Sequence, residues 1–212
     1  MNTNQSLPRR AALATAAAAT GLVLATCGSD DSTSTADPTP ATTTAPATSE
    51  ADRHNRADVT FAQEMIPHHR QAIVMSDMVE SHGASDEVQA LAEKIKKAQA
   101  PEIETMTGWL KAWGEEVPPG IGMGDMPGRG HDDSDRPGMT GAEDIDRLGS
   151  TSGNAFDTMY LTMMIEHHEG AIEMARTEKT QGSYGPAKTL ADDIITSQTA
   201  EIAQMRTMLE TG

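Results

Sequence analysis

The sequence predicts an all-α fold, a four-helix bundle built from two tandem helix-hairpin repeats. Apolar residues recur at helical spacing in two long blocks of residues 55–212. The two blocks also match each other when the sequence is shifted by 99 residues. One amphipathic hairpin cannot bury its own apolar stripe, whereas two hairpins packed face to face can, and this favours the bundle.

Residues 1–26 have the features of a signal peptide of the lipoprotein type. Two arginines, at positions 9 and 10, precede an apolar run. The run ends in a segment that resembles a bacterial lipobox, with Cys27 as the lipid-attachment residue. Cys27 is the only cysteine of the chain, so no intramolecular disulfide can form. We expect an exported protein anchored to the outer face of the bacterial membrane; a secreted or periplasmic protein is the alternative.

Residues 27–54 are predicted to be a disordered tether. They are rich in Ser, Thr, Pro, Ala and Asp and hold almost nothing that a core could bury. The duplicated four-helix domain then occupies residues 55–212. It divides into repeat 1 (55–114), a Gly- and Met-rich loop (115–140) and repeat 2 (141–212).

The first repeat is predicted to form a helical hairpin. Its first helix begins near Asn55 and ends near Gly83, because glycine suits the C-terminal cap of a helix. Its second helix begins at Ser85, whose side chain suits the N-terminal cap. Pro67 and Pro101 fall inside these helices, and we expect each proline to kink its helix.

The second repeat is predicted to begin with a short helix. Thr140 and Glu143 have the spacing of a capping box, and the helix that they open ends near Leu148. A second helical block follows over residues 154–209, with a turn near Gly182. We therefore expect a second hairpin that matches the first.

The two repeats share a Met-x-x-His-His motif. The shift of 99 residues holds without a gap from Asp58 on Asp157 to Leu110 on Leu209. Chance does not sustain such a register, which indicates an internal duplication. The motif residues that superimpose are Met65 on Met164, His68-His69 on His167-His168, and Met75 on Met174.

Helical spacing places the motif residues where two packed hairpins would turn them inward. Met65, His68 and Met75 lie along one side of the first helix, and His69 lies at the edge of that side. The candidate metal ligands are Met65, His68, His69, Met75, Met164, His167, His168 and Met174. Weaker candidates are Glu102, Met106, Glu201 and Met205 on the following helices, and Met123, Met126, His131 and Met139 in the loop.

Simpler interpretations of the same residues stay open. Methionine at helical spacing is more often core filler than ligand, and the loop residues fit a solvated linker as well as a copper-capturing arm. Two adjacent buried histidines are harder to explain, since neutral imidazoles need partners and protonated ones repel each other. Metal binding removes that cost, so the pattern favours a metal role for the histidine pairs.

The ligand types favour copper. Imidazole and thioether together suit Cu(I), and the histidines also tolerate Cu(II). A di-iron bundle would have Glu three residues before a histidine, where this chain has Met65 and Met164. Zinc lacks cysteine ligands here, and Ile172 stands where a His-Glu-x-x-His helix would have its second histidine.

Two segments carry a resemblance to a known family. M-I-P-H-H-R-Q-A-I-V-M (65–75) and M-I-E-H-H-E-G-A-I-E-M-A (164–175) resemble a bacterial family known as domain of unknown function 305. The resemblance covers about residues 55–210 and implies a ferritin-like helical bundle in exported proteins, with copper binding in some members. It carries the motif Met and His residues over as ligands. The chain has Tyr160-Leu161 where typical members have Phe-Leu, and the family has no established general activity.

Charge and motifs limit the function. The net charge of -16 disfavours nucleic acid as a partner. No nucleophile–base pair, phosphate loop or cofactor fingerprint is found, so we assign no catalytic residue and favour a non-enzymatic protein. The leading hypothesis is a lipid-anchored copper-binding protein that buffers copper or transfers it to a copper-handling partner. The alternatives are an iron- or copper-dependent oxidoreductase and a metal-free envelope interaction module.

Overall fold

The structure, a computed structural model, describes residues 53–120 and 137–212. These residues form helices joined by turns and contain no strand, which confirms the all-α prediction. The elements are α1 (Arg56–Met78), a 3₁₀ turn (Glu80–His82), α2 (Asp86–Trp113), α3 (Ala142–Leu148), α4 (Asn154–Gln181) and α5 (Gly185–Thr211). The predicted signal peptide, Cys27, nearly all of the tether and three loop candidates (Met123, Met126 and His131) lie outside the described residues.

The first hairpin begins and turns as its sequence predicts. Asn55 caps α1 by accepting hydrogen bonds from two backbone N–H groups, and the Asp58 carboxylate accepts from the N–H of Asn55 at 2.6 Å. The 3₁₀ turn ends at Gly83, whose φ of 64° is a conformation that glycine adopts without strain. Ser85 caps α2. The helices run through Pro67 and Pro101 without ending there.

The predicted capping box at Thr140 is wrong. Gly141 is the N-cap of α3, and no side chain caps this helix. The backbone of Thr140 instead pairs with the side chain of Gln71 on α1, accepting from its amide nitrogen at 2.9 Å and donating to its amide oxygen at 2.8 Å. The capping-box pattern is local in the sequence, whereas the partner of Thr140 in the structure is Gln71 on a different helix.

The four long helices form two antiparallel hairpins, α1 with α2 and α4 with α5, which meet through α1 and α4. Each hairpin also binds the start of the other hairpin's second helix. The Asp58 carboxylate on α1 accepts hydrogen bonds from the N–H groups of Ser183 and Tyr184, at 3.1 and 2.9 Å. Asp157 on α4 accepts from the N–H of Ser85, at 3.1 Å. Residues 58 and 157 differ by the same 99 positions as the sequence repeats.

The buried apolar residues form two clusters. No described helix is both long enough and apolar enough to cross a bilayer. Methionine contributes to both clusters, in place of the aromatic residues that make up only 3% of the chain. The cluster that we call the Trp-side cluster packs against Trp109 and Trp113, and we call the other the Phe-side cluster because it contains Phe156.

Candidate metal centre

Two histidines face each other where α1 and α4 meet. The ring centroids of His68 and His167 are 3.7 Å apart, with the ring planes tilted by 38°. Both side chains are fully buried. One turn further along each helix lies a buried alanine, Ala72 or Ala171, whose small side chain allows the two helices to approach closely. The helical spacing in the sequence thus predicts correctly that both residues turn inward.

The protonation state of His167 follows from its surroundings. Burial lowers its pKa well below the ordinary value, and repulsion from His68, His168 and His69 lowers it further. His167 is therefore neutral at physiological pH. Among the described residues, neither of its ring nitrogens has a hydrogen-bond partner. The nitrogen without a proton thus keeps a buried lone pair.

His68 is oriented by a backbone carbonyl that lies shortly before α3. Its Nε2 lies 3.2 Å from the carbonyl oxygen of Pro137. A carbonyl oxygen only accepts, so Nε2 carries a proton. Gly138 packs against the backbone of α4 at Gly170, where a Cβ would collide with the Pro137 carbonyl. Residues 137–141, which we call the strap, therefore lie across α1 and α4 beside the histidine pair.

The second histidine of each motif binds a carboxylate on the neighbouring helix. Nε2 of His69 lies 2.6 Å from Oε2 of Glu102, and Nε2 of His168 lies 2.9 Å from Oε2 of Glu201. In each pair the imidazole donates its Nε2 proton to the carboxylate. The Nδ1 atoms of both histidines are buried and have no hydrogen-bond partner among the described residues. This is the arrangement in which a carboxylate orients a metal-binding imidazole.

The charges in one of these pairs can be assigned. Burial lowers the pKa of His168, although hydrogen bonding and attraction to Glu201 act in the opposite direction. Burial alone would raise the pKa of Glu201, but the hydrogen bond from His168 and the positive charge of Lys94 outweigh it and lower this pKa. The pair is therefore a neutral imidazole that donates to an ionised carboxylate, which leaves the Nδ1 lone pair available.

The six methionine candidates on the long helices divide equally between the two clusters. The Trp-side cluster contains Met65, Met106 and Met174, and the Phe-side cluster contains Met164, Met205 and Met75. Met65 lies one turn before His69 on α1, and Met106 lies one turn after Glu102 on α2. Met164 and Met205 have the same positions relative to His168 and Glu201. We call His69, Glu102, Met65 and Met106 the first half-site. His168, Glu201, Met164 and Met205 form the second half-site.

Most of the buried candidate donors on the long helices are imidazoles and thioethers. Among the described residues, no group of three or more His, Cys, Asp and Glu side chains is placed to hold a metal ion. Glu102 and Glu201, weaker ligand candidates in the sequence, are instead hydrogen-bonded to histidines. Thioether sulfur is a donor that suits a soft metal ion.

Met139 is separated from the buried candidates. It is half-buried and lines an open cavity of about 950 Å³ between the strap and the outer side of α4. Glu166, Glu169 and Glu173 line the same cavity. All eight strong candidates are buried, as are Met106, Glu201 and Met205 among the weaker ones, whereas Glu102 is 18% exposed and Met139 is half-buried.

Sequence reasoning did not identify three further polar residues of the interior. Gln71 holds the strap, and Gln99 and Gln198 are buried on α2 and α5, one turn before the glutamates. Both amide atoms of Gln99 and the amide oxygen of Gln198 have no hydrogen-bond partner among the described residues. Gln99 and Gln198 could have been found from their positions, because they superimpose in the repeat register and interrupt an apolar stripe.

Comparisons with known proteins identify relatives. A DUF305 protein from Streptomyces coelicolor, whose given name marks it as a candidate secreted protein, is 34% identical, with a TM-score of 0.63 over 73% of this chain and 93% of that chain. CopM in its Cu(I)-bound form is 31% identical, with a TM-score of 0.58 over 73% and 96%. A DUF305 fragment from Deinococcus radiodurans is 23% identical and shows the same fold, with a TM-score of 0.64 over 74% and 98%.

The search of curated proteins gave no match. The family model described as domain of unknown function (DUF305) matches residues 58–209, which include both hairpins and all four motif histidines. The chain therefore belongs to the DUF305 family.

Proposed function

We propose that this protein binds copper outside the cytoplasm and buffers it or hands it on to another copper-handling protein. One observation carries the proposal. Two buried imidazoles meet between α1 and α4, and the second histidine of each motif is bound to a carboxylate through Nε2, which leaves Nδ1 away from that partner. Such a cluster is costly to bury unless a cation uses the lone pairs.

The residues proposed to hold copper are the four motif histidines together with Met65 and Met164. The remaining buried methionines complete the soft surroundings. Imidazole and thioether donors favour Cu(I), and imidazoles alone also accept Cu(II). The relative CopM, whose structures are described as Cu(I)-bound, Cu(II)-bound and Ag-bound, supports this choice of metal.

Export and anchoring form the second part of the proposal. The signal-peptide features of residues 1–26 and the lipobox-like segment at Cys27 would place the domain on the outer face of the membrane. A tether over residues 27–54 would let the domain move near the surface and meet a partner. We propose no catalytic step for this site.

The test is a Cu(I) titration of the purified protein under anaerobic reducing conditions, in competition with a chromogenic Cu(I) chelator. We expect micromolar or tighter binding in the wild type. Replacing His68, His69, His167 and His168 by Ala should abolish it. The matched control replaces His54 and His82, which stack on Trp113 and Phe156, and should leave binding unchanged.

Three outcomes would contradict the proposal. Unchanged binding in the fourfold variant would place copper elsewhere. Stoichiometric iron in protein purified without added metal would favour the oxidoreductase. Equal thermal stability with copper, iron, zinc and a chelator would favour a metal-free interaction module, because a ligand bound to the native state must raise its stability.

A further inference from the structure

The two half-sites match in sequence but differ in charge. Lys94 on α2 belongs to the first hairpin, yet its Nζ lies 3.4 Å from Oε1 of Glu201 in the second half-site. At the matching position, 99 residues later, the second hairpin has Asp193. The second repeat therefore has no lysine at this position that could pair with Glu102 in the first half-site.

Glu102 in the first half-site has no such partner. Among the described residues, no Lys or Arg nitrogen lies within ion-pair distance of its carboxylate, which pairs with His69 alone. The hydrogen bond to the histidine is also shorter there, 2.6 Å against 2.9 Å in the second half-site. A carboxylate whose charge is not shared with a lysine is the stronger acceptor, which agrees with the shorter distance.

We propose that Lys94 makes the two half-sites unequal, so that the first copper ion binds in the half-site of His69 and the half-site of His168 holds copper more weakly. This inference rests on the proposed copper function. The carboxylate behind an imidazole strengthens it as a ligand and offsets part of the charge of the bound cation. Lys94 cancels part of that effect for His168 and adds its own repulsion toward a cation.

The solvent exposure of the two glutamates would favour copper in the second half-site, but this effect is smaller than that of Lys94. Glu102 is 18% exposed and Glu201 is 3% exposed, so water screens the first carboxylate slightly more. A full positive charge in contact with Glu201 outweighs this difference. Lys94 is itself 57% exposed, which limits the expected change in affinity to about three- to tenfold.

The test isolates each half-site before changing the lysine. Cu(I) affinity is measured by chelator competition in His69→Ala, which leaves the second half-site, and in His168→Ala, which leaves the first. Lys94→Gln is then added to each. We expect it to raise affinity about three- to tenfold in the His69→Ala background and less than twofold in the His168→Ala background. Lys97→Gln, an exposed lysine on the same helix, is the control for net charge.

The outcomes separate this inference from the proposed function. If the wild type binds no Cu(I), the proposed function fails. If copper binds but Lys94→Gln acts equally in both backgrounds, or Lys97→Gln reproduces its effect, only the inference is overturned. Tighter Cu(I) binding by His69→Ala than by His168→Ala would also overturn it, because the first half-site would then be the weaker one.

Discussion

At the scale of single residues, the buried carboxyl of Glu178 is the most unusual group outside the metal centre. It is 1% exposed and lies beside Asp58, which is fully buried. Burial and the neighbouring Asp58 carboxylate raise the pKa of Glu178 to about 8. For Asp58, burial alone would raise the pKa, but the neighbouring Glu178 carboxyl and hydrogen bonds from three backbone N–H groups lower it. In the first repeat the position of Glu178 is taken by the buried Val79, so a neutral carboxyl here replaces an apolar side chain.

Glu178→Gln should change the pH dependence of stability. Because the folded protein holds the Glu178 proton up to about pH 8 and the unfolded chain releases it near 4.5, Glu178 costs the wild type stability as pH rises through this window. The variant has no proton to lose at this position. The melting temperature of the variant minus that of the wild type should therefore increase as the pH is raised from 5 to 8. Melting curves across this range check the prediction. Glu173→Gln, an exposed neighbour on α4, is the control and should track the wild type.

Gly170 is required by a close approach of two backbones. A Cβ at this position would collide with Pro137 and Gly138 of the strap. Gly170→Ala should therefore cost about 1–3 kcal/mol of stability, as overpacking does, and release the strap from α4. Gly108→Ala is the matched control, because Gly108 lies in the interior of α2 with open space around it. It should stabilise the protein by about 0.5–1 kcal/mol. Urea unfolding of both variants measures these changes. A Gly170→Ala variant that is more stable than the wild type would contradict this packing.

At the scale of elements, the two hairpins are joined by carboxylates at the helix starts. Asp157 on α4 accepts from the N–H of Ser85, the N-cap of α2, while Asp58 on α1 accepts from Tyr184, the N-cap of α5. Each bond satisfies an N–H group that a helix start leaves without an intrahelical partner. The two bonds fix the register between the hairpins and hence the position of α1 against α4.

Asp157→Ala should lower the free energy of unfolding by about 1–3 kcal/mol, because the half-buried N–H of Ser85 loses its acceptor. Asp193→Ala, at an exposed position on α5, should change stability by no more than about 0.5 kcal/mol. Chemical denaturation measures both. Equal effects of the two substitutions would show that the bond across the hairpins contributes nothing.

Helix positions were predictable to the extent that their signals are local. Ser85 caps α2 as expected, and the glycine at 83 has the left-handed conformation that suits a helix end. Gly182 does not: its φ is -69°, and it is glycine because a Cβ there would collide with the Glu178 carboxyl. The bonds between Thr140 and Gln71 were missed because they join residues far apart in the chain, and a local sequence pattern does not specify such contacts.

At the scale of the whole molecule, the inward direction of the motif histidines was predictable from helical periodicity. The contact between His68 and His167 was not, because it depends on how α1 crosses α4. Neither was the difference between the half-sites, since Lys94 reaches Glu201 from the other hairpin. The repeat register predicts equal halves, and the tertiary contacts make them unequal.

We propose that imidazole and thioether groups of both motifs bind copper. Copper K-edge X-ray absorption of the Cu(I)-loaded protein tests it most directly, because nitrogen and sulfur neighbours scatter differently. We predict both imidazole nitrogen and sulfur in the first coordination shell, with the sulfur contribution reduced in Met65→Leu/Met164→Leu. These substitutions nearly conserve side-chain volume and should leave the fold intact. A first shell of nitrogen and oxygen alone, identical in the wild type and the variant, would contradict the claim.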